Sequence, residues 1–379
     1  MRRRTFLSGL AAAGLAGCAR PPSLTAPSDV ALTPLKSYSR LQSVALLKLA
    51  GVKGVGVRHA VDCYRVGYGS HDARGTPIRL SGLLALPRGG PARGRVSWQH
   101  GTTTTRADVP SNLSTEGVAA AILCAGNGFA TVAPDYLGLG QSGLTHTYYA
   151  ADDTARAVID LLDATRGIAG VPDRPPFLTG FSQGGHACLA AQQALEAAGR
   201  AVLGSAPVAG AFNLRTISLG AALKGGAPQC SLYLSYLARG MAARYGQPLE
   251  SALTGPMAAL TRSLYDQPHK PDAIVAALPA NPRELFSPGF LDAFDHDGRH
   301  WLLEALAANE VSHFTPRAPV RFFHGAADRD VAPQESLTTA RMFQASGADA
   351  RAIDVGPVDH NGSILRAAPR ILGWLESLT

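Results

Sequence analysis

The chain has 379 residues, of which 46% are apolar and 17% charged, so there is material for one large α/β core with an added unit. Its formal charge is +7, and removal of Arg2, Arg3 and Arg4 lowers this to +4. That charge is spread thinly, and no basic run carries interleaved aromatics, which excludes a nucleic-acid-binding surface of the usual kind. No internal repeat and no metal-ligand spacing of cysteine or histidine is present.

In chain order, Met1-Arg2-Arg3-Arg4-Thr5-Phe6-Leu7-Ser8 reads as a twin-arginine export signal. An apolar stretch over residues 9–17 follows it, too short to span a bilayer. Leu15-Ala16-Gly17-Cys18 matches the bacterial lipobox, which makes Cys18 the expected lipidation site and first mature residue. The alternative is ordinary cleavage beside a chance cysteine, giving a soluble periplasmic or secreted protein. Ala19 differs from the aspartate that tends to retain lipoproteins at the inner membrane, which points to the outer membrane. The Pro- and Ser-containing stretch over residues 18–36 is expected to be a flexible tether.

A helix is expected over 39–49, then strands over 59–66 and 79–86. Arg95-Val96-Ser97-Trp98-Gln99 reads as a strand whose loop begins His100-Gly101-Thr102. Further elements are a helix over 115–126, a strand over 130–133 and a helix over 152–163. Pro176-Phe177-Leu178-Thr179 is an apolar strand, and Gly180-Phe181-Ser182-Gln183-Gly184 follows at once, ahead of a helical stretch. After a strand near Val202, residues 213–316 are too long for a loop and form an inserted helical unit. Within it Leu232, Tyr233, Tyr236, Leu237 and Met241 recur at helical spacing and are expected to pack the core of that unit. Pro319-Val320-Arg321-Phe322-Phe323 is a buried strand, followed by the loop from His324 through Asp328, Asp330 and Pro333. A strand ending at Val355 leads to the loop Gly356-Pro357-Val358-Asp359-His360 and a last amphipathic helix.

A serine hydroxyl is a poor nucleophile unless it stands on a tight turn where a base and a carbonyl carbon can both reach it. The Gly-x-Ser-x-Gly run between strand and helix supplies such a turn, with Gly180 and Gly184 leaving room on either side of Ser182. Asp328 and His360 each follow a later strand, in the chain order serine, acid, histidine. His360 is the expected base and Asp328 the acid that fixes its tautomer and stabilises its cation. Asp330, two residues on, is the alternative acid. Two donors are needed for the oxyanion, and the backbone N–H groups of Gln183 and Thr102 are the candidates, with Gly101 allowing close approach. Asp135 is expected to cap a loop, Asp359 to shape one, and His186 and His324 to be structural. His296, His300 and His313 carry no motif. Cys63, Cys124, Cys188 and Cys230 allow three disulfide connectivities, but apolar helical surroundings favour buried free thiols.

These pieces resemble the α/β-hydrolase fold over most of residues 58–379. Gln99-His100-Gly101-Thr102, Ala133-Pro134-Asp135-Tyr136-Leu137-Gly138-Leu139-Gly140 and Ser205-Ala206-Pro207-Val208-Ala209-Gly210 are similar to the secretory lipase branch of that superfamily. The resemblance implies a mostly parallel sheet flanked by helices, with a core over 37–212 and 317–379 and a helical cap over 213–316. It also implies carboxylic ester hydrolysis without a cofactor, on a small-molecule or lipid ester. A serine peptidase on the same fold and a catalytically silent binding lipoprotein are the competing readings.

Overall fold

The computed structural model describes residues 19–265 and 269–379. The export signal and Cys18 lie outside the described residues. Among the described residues nine strands form one sheet: β1 (Ala31–Tyr38), β2 (Ala60–His71), β3 (Pro77–Arg88), β4 (Gly94–Gln99), β5 (Phe129–Pro134), β6 (Phe177–Phe181), β7 (Gly204–Val208), β8 (Val320–His324) and β9 (Ala350–Asp354). Their spatial order is β1-β2-β3-β5-β4-β6-β7-β8-β9. The three pairings from β1 to β5 are antiparallel. The five from β5 to β9 are parallel. This is the α/β-hydrolase arrangement expected from the sequence.

Alternation along the strands splits the core between the two faces of the sheet. Leu83, Ala85, Val96 and Trp98 face one side, where they meet Leu47, Val118, Ile122 and Ile371 from the helices Arg40–Leu49, Thr115–Cys124 and His360–Ser377. Leu84, Leu86, Val132 and Leu178 face the other, against Val158, Leu161 and Cys188 of the helices Ala151–Ala164 and Gln183–Ala197. The strand order reverses around β4: β5 lies on one side of it and β6 on the other. In open α/β sheets the crevice at such a switch point, outside the strand carboxyl ends, is where ligands bind.

Two readings of the sequence need correction. The stretch 18–36 is not a free tether where it is described. Ala31–Tyr38 is the edge strand β1, Val30 is buried, Leu24 and Ala26 pack on the core, and Ser37 N–H donates to the Ala19 carbonyl at 2.9 Å. Pro34 hid the strand, because proline is tolerated only on an edge or at a bulge, and the register shifts between Pro34 and Lys36. The strand expected near Val202 is instead Gly204–Val208, where glycine and Pro207 are weak strand formers.

Between β7 and β8 the chain folds into short helices around Cys230–Tyr245, with an apolar cluster of their own that includes Leu232, Tyr236, Met241, Leu253, Phe290 and Leu306. Tyr148 and Tyr149 from the loop after β5 join that cluster, so the unit is packed onto the sheet's carboxyl edge. Contact is close: a Cβ at Gly240 would strike the Tyr148 backbone.

Candidate active site

Ser182 connects β6 to the helix Gln183–Ala197 at φ 58°, ψ −118°, a left-handed conformation that costs a non-glycine residue about 1–3 kcal/mol. The turn closes because Gly180 and Gly184 bring the backbone against Gln99 and against one another. A Cβ at either position would strike those backbone atoms. Asp328 sits four residues beyond the end of β8, in the loop before the helix Gln334–Ala345. His360 opens the last helix, capped by the Asp359 side chain, which accepts from Gly362 N–H.

The three side chains meet. His360 Nε2 lies 2.9 Å from Ser182 Oγ, and His360 Nδ1 lies 2.7 Å from Asp328 Oδ2. All three residues are buried. Burial by itself would raise the Asp328 pKa, yet hydrogen bonds from His324 and His360 hold it well below the usual carboxylate range. An ionised Asp328 is acceptor-only, so Nδ1–H of His360 donates to it and Nε2 is left to accept from the serine.

Asp328 is further held by Asp330 N–H and Val331 N–H on Oδ1, at 2.9 and 3.0 Å. His324 Nε2 stands 3.1 Å from both Asp328 Oδ2 and the Val331 carbonyl. Two acceptors facing one nitrogen mean that this nitrogen carries the proton. His324 Nδ1 lies 2.8 Å from Ser336 Oγ, which holds the ring from its other side. The carboxylate of Asp330 does not enter this relay. Its partner is the Tyr233 hydroxyl, 3.5 Å away, and burial raises its pKa. It is Asp328, and not Asp330, that meets His360.

Gln183 is the first residue of its helix, where backbone N–H groups have no intrahelical acceptor. Its side chain is pinned by His146: Gln183 Nε2 lies 3.0 Å from His146 Nε2, while His146 Nδ1 lies 2.6 Å from the Leu137 carbonyl. Burial drives the His146 pKa down to about 3, so the ring stays neutral and accepts through Nε2. In the β4 loop, Gly101 N–H donates to the buried carboxyl of Glu116 at 3.0 Å, which also accepts from Trp98 Nε1. The next N–H, that of Thr102, has no acceptor among the hydrogen bonds of the described residues. Thr102 Oγ1 shares a 2.5 Å hydrogen bond with Tyr148 OH.

A pocket of about 60 Å³ opens on Ser182. Tyr148, Leu214, Leu219, Tyr233, Leu237 and Asp330 are among the residues that line it. The helical stripe in the insertion therefore divides. Leu232, Tyr236 and Met241 pack its core as expected, whereas Tyr233 and Leu237 also face the pocket.

Other residues fall outside the relay. Asp135 is buried, accepting from Ser81 Oγ at 2.5 Å and Ser111 N–H at 2.9 Å. His186 contacts the Asn309 carbonyl, His300 caps a helix, His313 pairs with Glu310 and His296 with Asp292. Cys63, Cys124, Cys188 and Cys230 are free and buried, and burial pushes the first three thiols up to about 12. Missed in the sequence were the supports: His324 on Asp328, His146 on Gln183, Glu116 on Gly101 and Tyr148 on Thr102. Only His324 carried a signal, since it closes a strand four residues before the acid.

The model of the alpha/beta hydrolase family matches the chain over residues 86–370. No curated protein matches it in sequence. Among solved structures it is similar to a provisionally assigned hydrolase of Legionella pneumophila, with TM-score 0.82 and 25% identity over 94% of this chain and 98% of that one. It is also similar to the rice cell wall degrading esterase LipA of Xanthomonas oryzae, with TM-score 0.80 and 23% identity over 94% and 97%. Candida antarctica lipase A is more distant, with TM-score 0.63 and 15% identity over 82% and 78%. Sheet order, the serine turn and the family match agree, and the chain belongs to the alpha/beta hydrolase family.

Proposed function

We propose that the protein is a serine carboxylic ester hydrolase of the cell envelope, acting through Ser182, His360 and Asp328. The observation that carries this reading is the unbroken relay from Ser182 Oγ through His360 to Asp328, on a strained turn facing a pocket. Ser182 Oγ attacks the ester carbonyl carbon as His360 Nε2 takes its proton. The resulting oxyanion lies against the N–H groups of Gln183 and Thr102, and Asp328 offsets the imidazolium charge. Collapse expels the alcohol, which receives the proton from His360. Water then attacks the acyl-enzyme with His360 as base and restores the serine.

The likeness to the secretory lipase branch and the esterase among the structural neighbours support ester over amide. The pocket of about 60 Å³ is less than half the ~150 Å³ of a cavity that accepts benzene, which favours a short acyl group. Anchoring rests on the lipobox ending at Cys18. No helix among the described residues is long and apolar enough to cross a membrane.

The test is a series of p-nitrophenyl esters from acetate to laurate. We expect kcat/KM to peak at four carbons or fewer and Ser182→Ala to lower turnover about 10⁵- to 10⁶-fold with the fold intact. Near-normal turnover in that variant would defeat the nucleophile. Preference for a matched anilide would move the protein to the peptidases.

A further inference from the structure

We propose that the outer face of the helix Arg40–Leu49 is a membrane-contact surface, which seats the enzyme on an anionic bilayer beside its amino-terminal anchor. The inference goes beyond the catalytic reading; its argument from the course of the chain rests on the proposed lipidation of Cys18, and its arguments from exposure and charge do not.

The helix buries Ser43 and Leu47 against the sheet. Its opposite face presents Leu41, Ala45, Lys48 and Leu49, all exposed, at positions i, i+4, i+7 and i+8. Leu41 is 84% exposed and Leu49 54%, although the buried side of the same helix already carries an apolar stripe. A surface helix normally turns polar residues to water, so apolar side chains on both faces call for a second apolar environment.

Charge specifies that environment. From residue 30 to residue 61 the sequence holds Lys36, Arg40, Lys48, Lys53 and Arg58 and no aspartate or glutamate. Three of these cations have partners within the fold: Arg58 pairs with Glu376, Arg40 donates to the Val57 carbonyl, and Lys36 lies over the Tyr38 ring. Lys48 and Lys53 are exposed and have no ion-pair partner among the described residues. The flanking Asp62 is buried under Ser37 and Arg88. Leucines that can enter the acyl boundary and lysines level with the phosphates match an anionic lipid surface.

The course of the chain adds an argument that holds if Cys18 is lipidated. Ser37 N–H holds the Ala19 carbonyl at 2.9 Å, two residues before Ser39 caps this helix. Ala19 is the residue after Cys18 in the sequence, so the first described residue of the proposed mature chain is held beside the strand that leads into this helix. Of the other exposed leucines, Leu144 lies in the loop after β5 and Leu337 on the helix Gln334–Ala345.

The full chain, produced with its own leader, is reconstituted into vesicles of phosphatidylethanolamine and phosphatidylglycerol whose acyl chains are brominated. Relative to the parent, the Leu41→Trp protein should lose at least threefold more tryptophan emission on these vesicles than the Leu337→Trp protein. Adding Lys48→Glu and Lys53→Glu to the first should cut its quenching at least in half. Hydrolysis of a soluble short ester should stay within twofold throughout, because the helix lies outside the catalytic machinery. Equal quenching of the two reporters overturns the proposal. So does a blue-shifted Leu41→Trp emission before vesicles are added, which would mean that another copy of the protein covers the face. Mass spectrometry of the same preparation reads Cys18 separately. A lipidated terminus with equal quenching removes the docking face and leaves the anchor. An unmodified terminus with selective quenching removes the anchor and leaves the face.

Discussion

Asp328 and Asp330 are two residues apart and chemically identical, yet their surroundings give them opposite characters. Asp328 accepts from two imidazoles and two backbone N–H groups, which hold it ionised. Asp330 meets one tyrosine hydroxyl and is pushed the other way by burial. Asp328→Asn presents an amide where His360 Nδ1–H must donate, and turnover should fall about 10⁴-fold. Asp330→Asn should cost less than about tenfold, and the reverse ranking would transfer the acid role. Ser182, Asp328 and His360, which the structure brings together, were legible as candidates because each lies in the turn or loop after a strand. The choice between the aspartates needed the loop's hydrogen bonds, because both lie within reach of the strand end in sequence.

At the level of elements, the insertion supplies much of the lining of the pocket on Ser182. The helix Cys230–Tyr245 lends Tyr233 and Leu237 to the pocket, while Leu232, Tyr236 and Met241 of the same stripe pack the core of the insertion. Periodicity located this helix, but a stripe wide enough to serve two surfaces reads as one. Leu237→Trp adds volume to a pocket of about 60 Å³ and should lower kcat/KM for a butyrate ester at least tenfold. Acetate should lose less, and equal losses for both esters would mean that Leu237 does not bound the acyl site. A second element shows how local rules are overridden. β1 carries Pro34 and still pairs with β2, because an edge strand needs only one row of donors and a bulge absorbs the mismatch.

For the molecule as a whole, Glu335 ties the insertion to the core. Buried in the helix after the acid loop, it accepts from Phe212 N–H, Asn213 N–H, Asn213 Nδ2 and Ser218 Oγ at the start of the insertion. Burial raises its pKa from 4.5 to about 7 despite those donors. The folded state thus holds this proton more tightly than the unfolded chain does. The stabilisation is complete below pH 4.5 and is lost as pH rises through about 7. Across that window the parent should lose on the order of 3 kcal/mol relative to Glu335→Gln, read from denaturant midpoints. A pH-independent difference would refute the assignment. Export can be tested on the same scale. Made in a Gram-negative cell, the protein should stay with membranes until detergent is added, and Cys18→Ala should leave its leader uncut. An unmodified mature terminus cut elsewhere would leave a soluble envelope hydrolase.

The sequence alone determined most of the sheet-forming segments, the serine turn and the chain order of Ser182, Asp328 and His360, because each depends on neighbours a few residues away. Alternation marks a strand, small residues mark a tight turn, and a loop after a strand falls at the sheet's carboxyl edge. Tertiary structure decided what depends on distant partners. His146 locks Gln183 from 37 positions away, and Glu116 removes Gly101 as a donor from 15 positions away. Ala19 is held by Ser37 on a strand that its proline concealed. Such contacts leave no periodic trace in the chain, since a hydrogen bond between separate loops requires only that the fold bring them within about 3 Å.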